Sequence, residues 1–168
     1  HPLWRPPAGL VDRAALGGPP RHGVGRVTKV GKEQVVGLLT ALDLFVREGD
    51  AARHDRWRTL VEDIAGRLGE GDRLAAHGIA LELRGISDTS SVPRLALRLP
   101  PGRRTEAARL ILALEDGGRP VHVDQSEHLA GTLVFNPLCL APGDAAAVAE
   151  TVHAALATCG LVPDAGAA

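Results

Sequence analysis

Residues 23–46 read GVGRVTKVGKEQVVGLLTALDLFV, a short basic segment with glycines that runs directly into an amphipathic helix. The apolar residues from Val35 onward recur at the i, i+3, i+4 and i+7 spacing of a single helix face. They are Val35, Leu38, Leu39, Leu42 and Phe45. This pattern predicts a helix from about residue 32 to residue 48, buried on that face, with the other elements packing against it.

Three cations precede this helix, and they are Arg26, Lys29 and Lys32. The spacing does not fit a phosphate loop of the Walker type, because five residues rather than four separate Gly25 from Gly31. Exposed amides and cations at a helix N-terminus nevertheless favour binding of a phosphate or a carboxylate. The segment is therefore the predicted anion site, and a solvated basic turn is the alternative.

The remaining periodicities predict three further helices and four short strands. Together with the first helix, these elements follow the order ααββαββα. A second helix begins near residue 50, and alternating leucines predict strands near 79–83 and 95–99. A helix over 105–115, strands near 121–124 and 131–135, and a last helix capped by Asp144 follow. Short connections between strands favour an antiparallel sheet with helices on one face, an α+β, two-layer small domain.

Composition sets the broad class of the protein. The formal net charge of −1 gives no reason to expect nucleic acid or an acidic membrane as a partner, and we expect a cytoplasmic protein with a bacterial coding bias. Residues 1–24 are rich in proline and glycine and are predicted to be a strap or linker. Residues 25–160 are predicted to form one small domain, and residues 161–168 a flexible tail. The chain contains no methionine, which suggests processing or a fragment.

Few residues outside the basic segment suggest chemistry. Cys139 and Cys159 lack the spacing of a redox or zinc motif and are predicted to be buried apolar fillers. His122, Asp124 and His128 could share a metal, but no HExxH or cysteine-rich pattern supports a metal site, and none is predicted. The sequence has no GxSxG elbow, and no catalytic residue is predicted in this chain.

Arg94 and Arg98 flank alternating leucines on the predicted second strand. Alternation places both arginines opposite the leucine face, where solvent exposure is the ordinary interpretation. An arginine in such a position can also hold a substrate carboxylate through two parallel hydrogen bonds. Arg94 therefore joins Arg26, Lys29 and Lys32 as a candidate anion-binding residue.

Three segments resemble one known family. The run Gly25-Arg26-x-x-Lys29-Val30-Gly31-Lys32-Glu33, with the helix that follows it, resembles a segment of the selenocysteine synthase (SelA) and D-glucosaminate-6-phosphate ammonia-lyase group. Residues 117–123 resemble that family's Gly-Asp-Pro-Pro-Ile-Tyr-Val turn and strand, and residues 133–144 its final strand and helix start. The resemblance spans about residues 21–158.

The resemblance implies the C-terminal small domain of a fold-type-I pyridoxal-phosphate enzyme, a transferase or lyase acting on an amino-bearing, anionic substrate. It implies pyridoxal 5′-phosphate in the intact enzyme but none on this chain alone, because the family's cofactor lysine lies upstream in the large domain. Neither Lys29 nor Lys32 is expected to form the Schiff base. The implied partners are this large domain and further copies of the enzyme, and a selenocysteine synthase would also bind tRNA. The alternative is a free-standing, non-catalytic binding or assembly domain.

Overall fold

The computed structural model describes residues 29–163, which contain four α-helices and one three-stranded sheet. The chain divides into two compact units, the N-terminal unit of residues 1–47 and the C-terminal unit of residues 48–168. The helices are α1 (Lys32–Glu48), α2 (Asp50–Gly69), α3 (Arg104–Glu115) and α4 (Asp144–Thr158). The strands are β1 (Ala80–Arg84), β2 (Arg94–Arg98) and β3 (Thr132–Phe135).

The sheet is antiparallel throughout, with the strand order β1-β2-β3. This architecture confirms the α+β prediction and the antiparallel sheet. The strand predicted near 121–124 is wrong as a full strand, because it contributes a single bridge between Asp124 and Val134. At its start the amide of Val121 donates instead to the carbonyl of Leu114 at 2.9 Å, at the end of α3. That bond ties the segment to the helix before it reaches the sheet.

The core of the C-terminal unit lies between the leucine face of the sheet and helices α2, α3 and α4. Leu95, Leu97 and Leu133 on the sheet are fully buried, as is Leu110 on α3. Alternation along the strands explains this face, because residues two apart point to the same side of a sheet. The other large and fully buried helix residues are Ile64, Leu68, Leu114 and Leu156.

The end of the chain differs from the sequence prediction in one respect. Leu161 and Val162 are 7% and 4% exposed and belong to the core, so the prediction of a flexible tail from residue 161 is wrong for these two residues. The amide of Leu161 donates to the carbonyl of Leu156 at 2.9 Å, which turns the chain back after α4. Residues 164–168 and the predicted strap over residues 1–24 lie outside the described residues.

Helix α1 has the predicted bounds, but its apolar face is exposed. None of its residues is buried, and the side chains of Leu38, Leu39 and Leu42 are 70%, 60% and 53% exposed. The buried core cluster runs from Val61 to Val162 and includes no residue of this helix. The expectation that this face of α1 is buried is therefore wrong. Its periodicity identified an apolar face without showing what covers that face.

The backbone at Gly85, directly after β1, is expected to require glycine. Its φ is +68°, and a Cβ there would lie 2.6 Å from Ser91 Oγ and 3.3 Å from the carbonyl oxygen of Val92. Replacing Gly85 by alanine is expected to lower the free energy of unfolding by about 1–3 kcal/mol. Denaturant unfolding measures the change.

Gly66 provides the matched control for this substitution. It lies inside α2 without positive φ, and a Cβ there would meet nothing within 4 Å. Gly66→Ala is expected to stabilise the protein by about 0.5–1 kcal/mol, because alanine favours helix over glycine. Equal effects of the two substitutions would contradict the assignment of strain to Gly85.

Candidate functional site

The predicted anion segment is described from Lys29 onward, and Arg26 lies outside the described residues. Lys29 and Lys32 are both exposed, and Lys32 is the first residue of α1. The amide of Gly31 donates to the side-chain oxygen of Gln34 at 2.9 Å, while the carbonyl of Gly31 accepts from the amide of Val35 at 3.1 Å. This capping arrangement fixes the start of the helix. Within residues 29–163 neither lysine forms an ion pair, so both charges remain available to an anion.

Arg94 lies in the C-terminal unit, on the side of the sheet opposite the leucine face. We call this side the open face. Arg94 and Arg98 are exposed, whereas Ala96 between them is fully buried and Val134 beside it is 2% exposed. The strand register places on the open face Glu82, Arg84, Arg94, Ala96, Arg98, Thr132, Val134 and Asp124. The centre of the open face is thus formed by the uncharged side chains of Ala96 and Val134, and charged side chains surround them.

An ion-pair network crosses the open face. Glu82 Oε2 accepts from Arg98 Nη2 at 2.7 Å and from Arg84 Nη2 at 3.1 Å, and Arg84 Nη1 reaches Glu127 Oε1 at 2.7 Å. The hydrogen bond to Glu127, followed by the bond to Glu82, raises the pKa of Arg84. The hydrogen bond from Arg84 lowers the pKa of Glu82. Arg84 and Arg98 are therefore held by carboxylates of this chain.

Arg94 has a different environment. In the described part of the chain it forms no ion pair, although Arg84 lies directly opposite it on β1 and the charge of Arg94 acts on Asp124. The pKa of Asp124 is lowered first by the backbone amide and then by the hydroxyl of Ser126, with a smaller contribution from the Arg94 charge. The amide of Ser126 already donates to Asp124 at 2.9 Å. Arg94 is consequently the open-face arginine that can bind an added carboxylate or phosphate without breaking an existing ion pair.

The network around Arg84 was missed by sequence reasoning. Alternation alone places Glu82 and Arg84 on one face, two residues apart, and that signal could have suggested their pairing. Glu127 is 43 residues from Arg84 and reaches it only through the fold. No local pattern could have predicted that contact.

The residues considered for a metal have other partners. His122 Nδ1 lies 3.6 Å from Glu115 Oε1, and His128 Nδ1 lies 2.6 Å from the carbonyl oxygen of Gln125. Asp124 accepts the Ser126 amide, as described above. Across residues 29–163, no group of three histidine, cysteine, aspartate or glutamate side chains is placed to hold a metal ion.

The cysteines follow the sequence prediction only in part. Cys159 is half-buried, and burial raises the pKa of its thiol against a smaller opposing effect of Arg109. Cys139 is exposed, so its prediction as a buried filler is wrong. It lies in a short 3₁₀ turn, Pro137–Cys139, that follows β3. Leu138 in the same turn is also 50% exposed. This short turn lies at the surface, and two of its three side chains face solvent.

The α+β fold is shared with part of a known enzyme. No protein-family model and no curated protein matches the sequence. Among solved structures, the chain is similar to D-glucosaminate-6-phosphate ammonia-lyase, with a TM-score of 0.58 and 19% sequence identity. The match covers 82% of this chain and 35% of that chain, so this protein spans about a third of the enzyme's length. At this identity the likeness shows the fold alone.

Across the described helices, none combines the length and the apolar character that crossing a membrane requires.

Proposed function

We propose that the chain is the C-terminal small domain of a pyridoxal-phosphate-dependent lyase or transferase. The observation that carries the proposal is the structural match, which covers most of this chain but only 35% of the ammonia-lyase. The three segments that resemble the selenocysteine synthase and ammonia-lyase group support the same assignment. In this proposal the cofactor-binding large domain precedes the basic segment, as it does in the family that the segments resemble.

The exposed face of α1 supports a missing partner domain. A helix face with three leucines that are each more than half exposed is unusual for a folded monomer in water. The large domain proposed here would cover that face. The chain on its own is then expected to be inactive.

The described lysines do not fit a coenzyme site. A Schiff-base lysine must lie against the coenzyme ring in a formed pocket, whereas Lys29 and Lys32 are both exposed. When bound to the intact enzyme, pyridoxal phosphate would supply the electron sink for elimination or replacement. The residues of this chain would contribute substrate binding and closure of the cleft.

We assign the binding of anionic substrate groups to Arg26, Lys29 and Lys32 in the N-terminal unit and, separately, to Arg94 in the C-terminal unit. The name of the structurally similar enzyme specifies a substrate with a carboxylate and a phosphate. Two kinds of cationic group suit such a molecule. The lysines are exposed point charges near a helix N-terminus, and Arg94 presents a planar guanidinium suited to a carboxylate.

Charge removal tests this assignment in the longer enzyme. Replacing Arg26 and Lys29 by alanine is expected to raise KM by about tenfold or more with little change in kcat, because a charge-assisted bond to the substrate is lost. Steady-state kinetics measures both constants. Arg47→Ala is the control, since Arg47 is an exposed cation of the same unit that pairs with Asp43 at 2.9 Å. A KM unchanged by the double substitution, or raised equally by the control, contradicts the assignment.

A free-standing binding or assembly domain is the second candidate. The C-terminal unit has its own buried core, which favours a fold that is stable without a large domain. The exposed face of α1 would then be covered in an oligomer. Size-exclusion chromatography separates the two candidates, because a well-defined species favours a self-sufficient domain and aggregation favours a fragment.

A further inference from the structure

Strand β1 lies at the edge of the sheet, and its core-facing leucines are only partly buried. It pairs only with β2 among the described residues, so its other side presents unpaired backbone groups. Leu81 and Leu83 point to the core side but are only half-buried. Their direct partners Leu97 and Leu95 on β2 are fully buried. One more strand beside β1, with an apolar residue opposite Leu83, would extend the cover of that leucine.

A groove lies at the N-terminal end of β1. It has a volume of about 440 Å³ and is lined by Leu74, Ile79 and Leu81 together with Gly69, Asp72 and Gly78. The apolar part of its wall continues the core of the C-terminal unit, since Leu74 and Ile79 are 2% and 3% exposed. The unpaired edge itself can receive an extended strand through main-chain hydrogen bonds.

The sequence of β1 is self-complementary in one antiparallel register. With Leu83 on a two-fold axis, Glu82 lies directly opposite Arg84 of a second copy, and Arg84 opposite Glu82 of that copy. With Glu82 on the axis, like charges would face each other, which is destabilising. With Leu81 on the axis, Glu82 would face Ala80 and Arg84 would face Gly78, so no opposite charges would meet. The Leu83 register is the only one of these three that pairs opposite charges.

The charged groups of β1 retain capacity for this pairing. Both hydrogen bonds that Glu82 accepts go to Oε2, and within the described residues Oε1 accepts none. Arg84 donates through Nη1 and Nη2, which leaves Nε without a partner in the same part of the chain. A second copy can therefore add charge-assisted bonds while the network of the open face stays intact.

From the half-covered leucines and this charge pattern, we propose that β1 is a homodimer interface. Two copies join edge to edge through antiparallel β1 strands about Leu83 and form one continuous six-stranded sheet. The proposal depends on the edge alone and not on the coenzyme or on the missing domain. The β1 interface can therefore be disproved while the proposed function stands, and the proposed function can be disproved while the β1 interface stands.

Charge reversal with mixing tests the interface. The parent is the 168-residue chain carrying Leu38→Gln, Leu39→Gln and Leu42→Gln, which weakens apolar association through α1. Sedimentation velocity should show a dimer. Glu82→Arg and Arg84→Glu, introduced separately, should each weaken dimerisation by about tenfold, because two opposite-charge pairs become like-charge pairs. Mixing the two variants should restore a dimer, since every facing pair is again opposite in charge. A monomeric parent, or a mixture no more dimeric than its components, overturns the proposal.

Cross-linking gives a second test that does not depend on the network. In a parent with Cys139→Ser and Cys159→Ser, Leu83→Cys places two thiols opposite each other on the axis, so mild oxidation should yield a covalent dimer. Leu81→Cys is the control, because Leu81 would face Gly85 of the second copy. Equal cross-linking at both positions, or none at residue 83, contradicts the Leu83 register.

Discussion

Replacing Leu110 by alanine is expected to lower the free energy of unfolding by about 2–5 kcal/mol. Leu110 lies on α3, is fully buried and belongs to the core that joins the helices to the sheet. Truncating the side chain removes apolar burial and leaves a cavity that close-packed neighbours fill only in part. A loss of this size is a large fraction of the stability of a small domain. Denaturant unfolding monitored by circular dichroism measures it.

Leu112 is the matched control, two residues further along the same helix. It is 58% exposed, so Leu112→Ala makes the same chemical change with little loss of burial. Its effect should stay within about 0.5 kcal/mol. Equal losses at the two positions would show that α3 does not present the face described here to the core.

Replacing Leu38, Leu39 and Leu42 together by glutamine is expected to reduce the aggregation of the isolated chain. The three leucines are 70%, 60% and 53% exposed on one face of α1, and glutamine favours helix about as well as leucine. The unfolding transition of the C-terminal unit should be unchanged, because its core cluster includes none of them. Light scattering and sedimentation measure the association, and circular dichroism measures the transition.

Thr40→Gln with Ala41→Gln is the control on the other side of α1. Both residues are exposed and lie on the side of α1 away from Leu38, Leu39 and Leu42, so this pair of changes should leave aggregation as it was. If the triple variant aggregates as the parent does, the surface formed by Leu38, Leu39 and Leu42 does not cause the aggregation. If it loses the unfolding transition, the face is part of the core.

Much of the fold could be predicted because periodicity reports side-chain direction. Spacing of 3.6 and of 2 located α1, α3 and all three strands within one or two residues. Periodicity carries no information about what covers a face, and α1 shows the consequence. Its leucines have the pattern of a core helix, yet they are exposed. The segment near Val121 also alternates as a strand does. The backbone amide of Val121, however, donates to the carbonyl of Leu114 and not to a neighbouring strand.

The candidate site was predictable to a smaller extent. Alternation correctly placed Arg94 and Arg98 opposite the leucine face, but it could not distinguish them. Arg98 is held by Glu82 at 2.7 Å, whereas Arg94 is the arginine left for an added anion. That difference depends on the strand register, which sets the neighbours of each arginine across the sheet and is a long-range property of the fold. The roles assigned to Arg26, Lys29 and Lys32 remain predictions.

The intact mass of the endogenous protein tests the central proposal most directly. An antibody raised against this segment captures the protein from its source, and mass spectrometry and absorbance report its mass and its coenzyme. We expect a species well above 17.5 kDa that carries pyridoxal phosphate, because the chain spans only about a third of the structurally similar enzyme. A species of 17.5 kDa without coenzyme would contradict the proposal and leave the binding or assembly domain in its place.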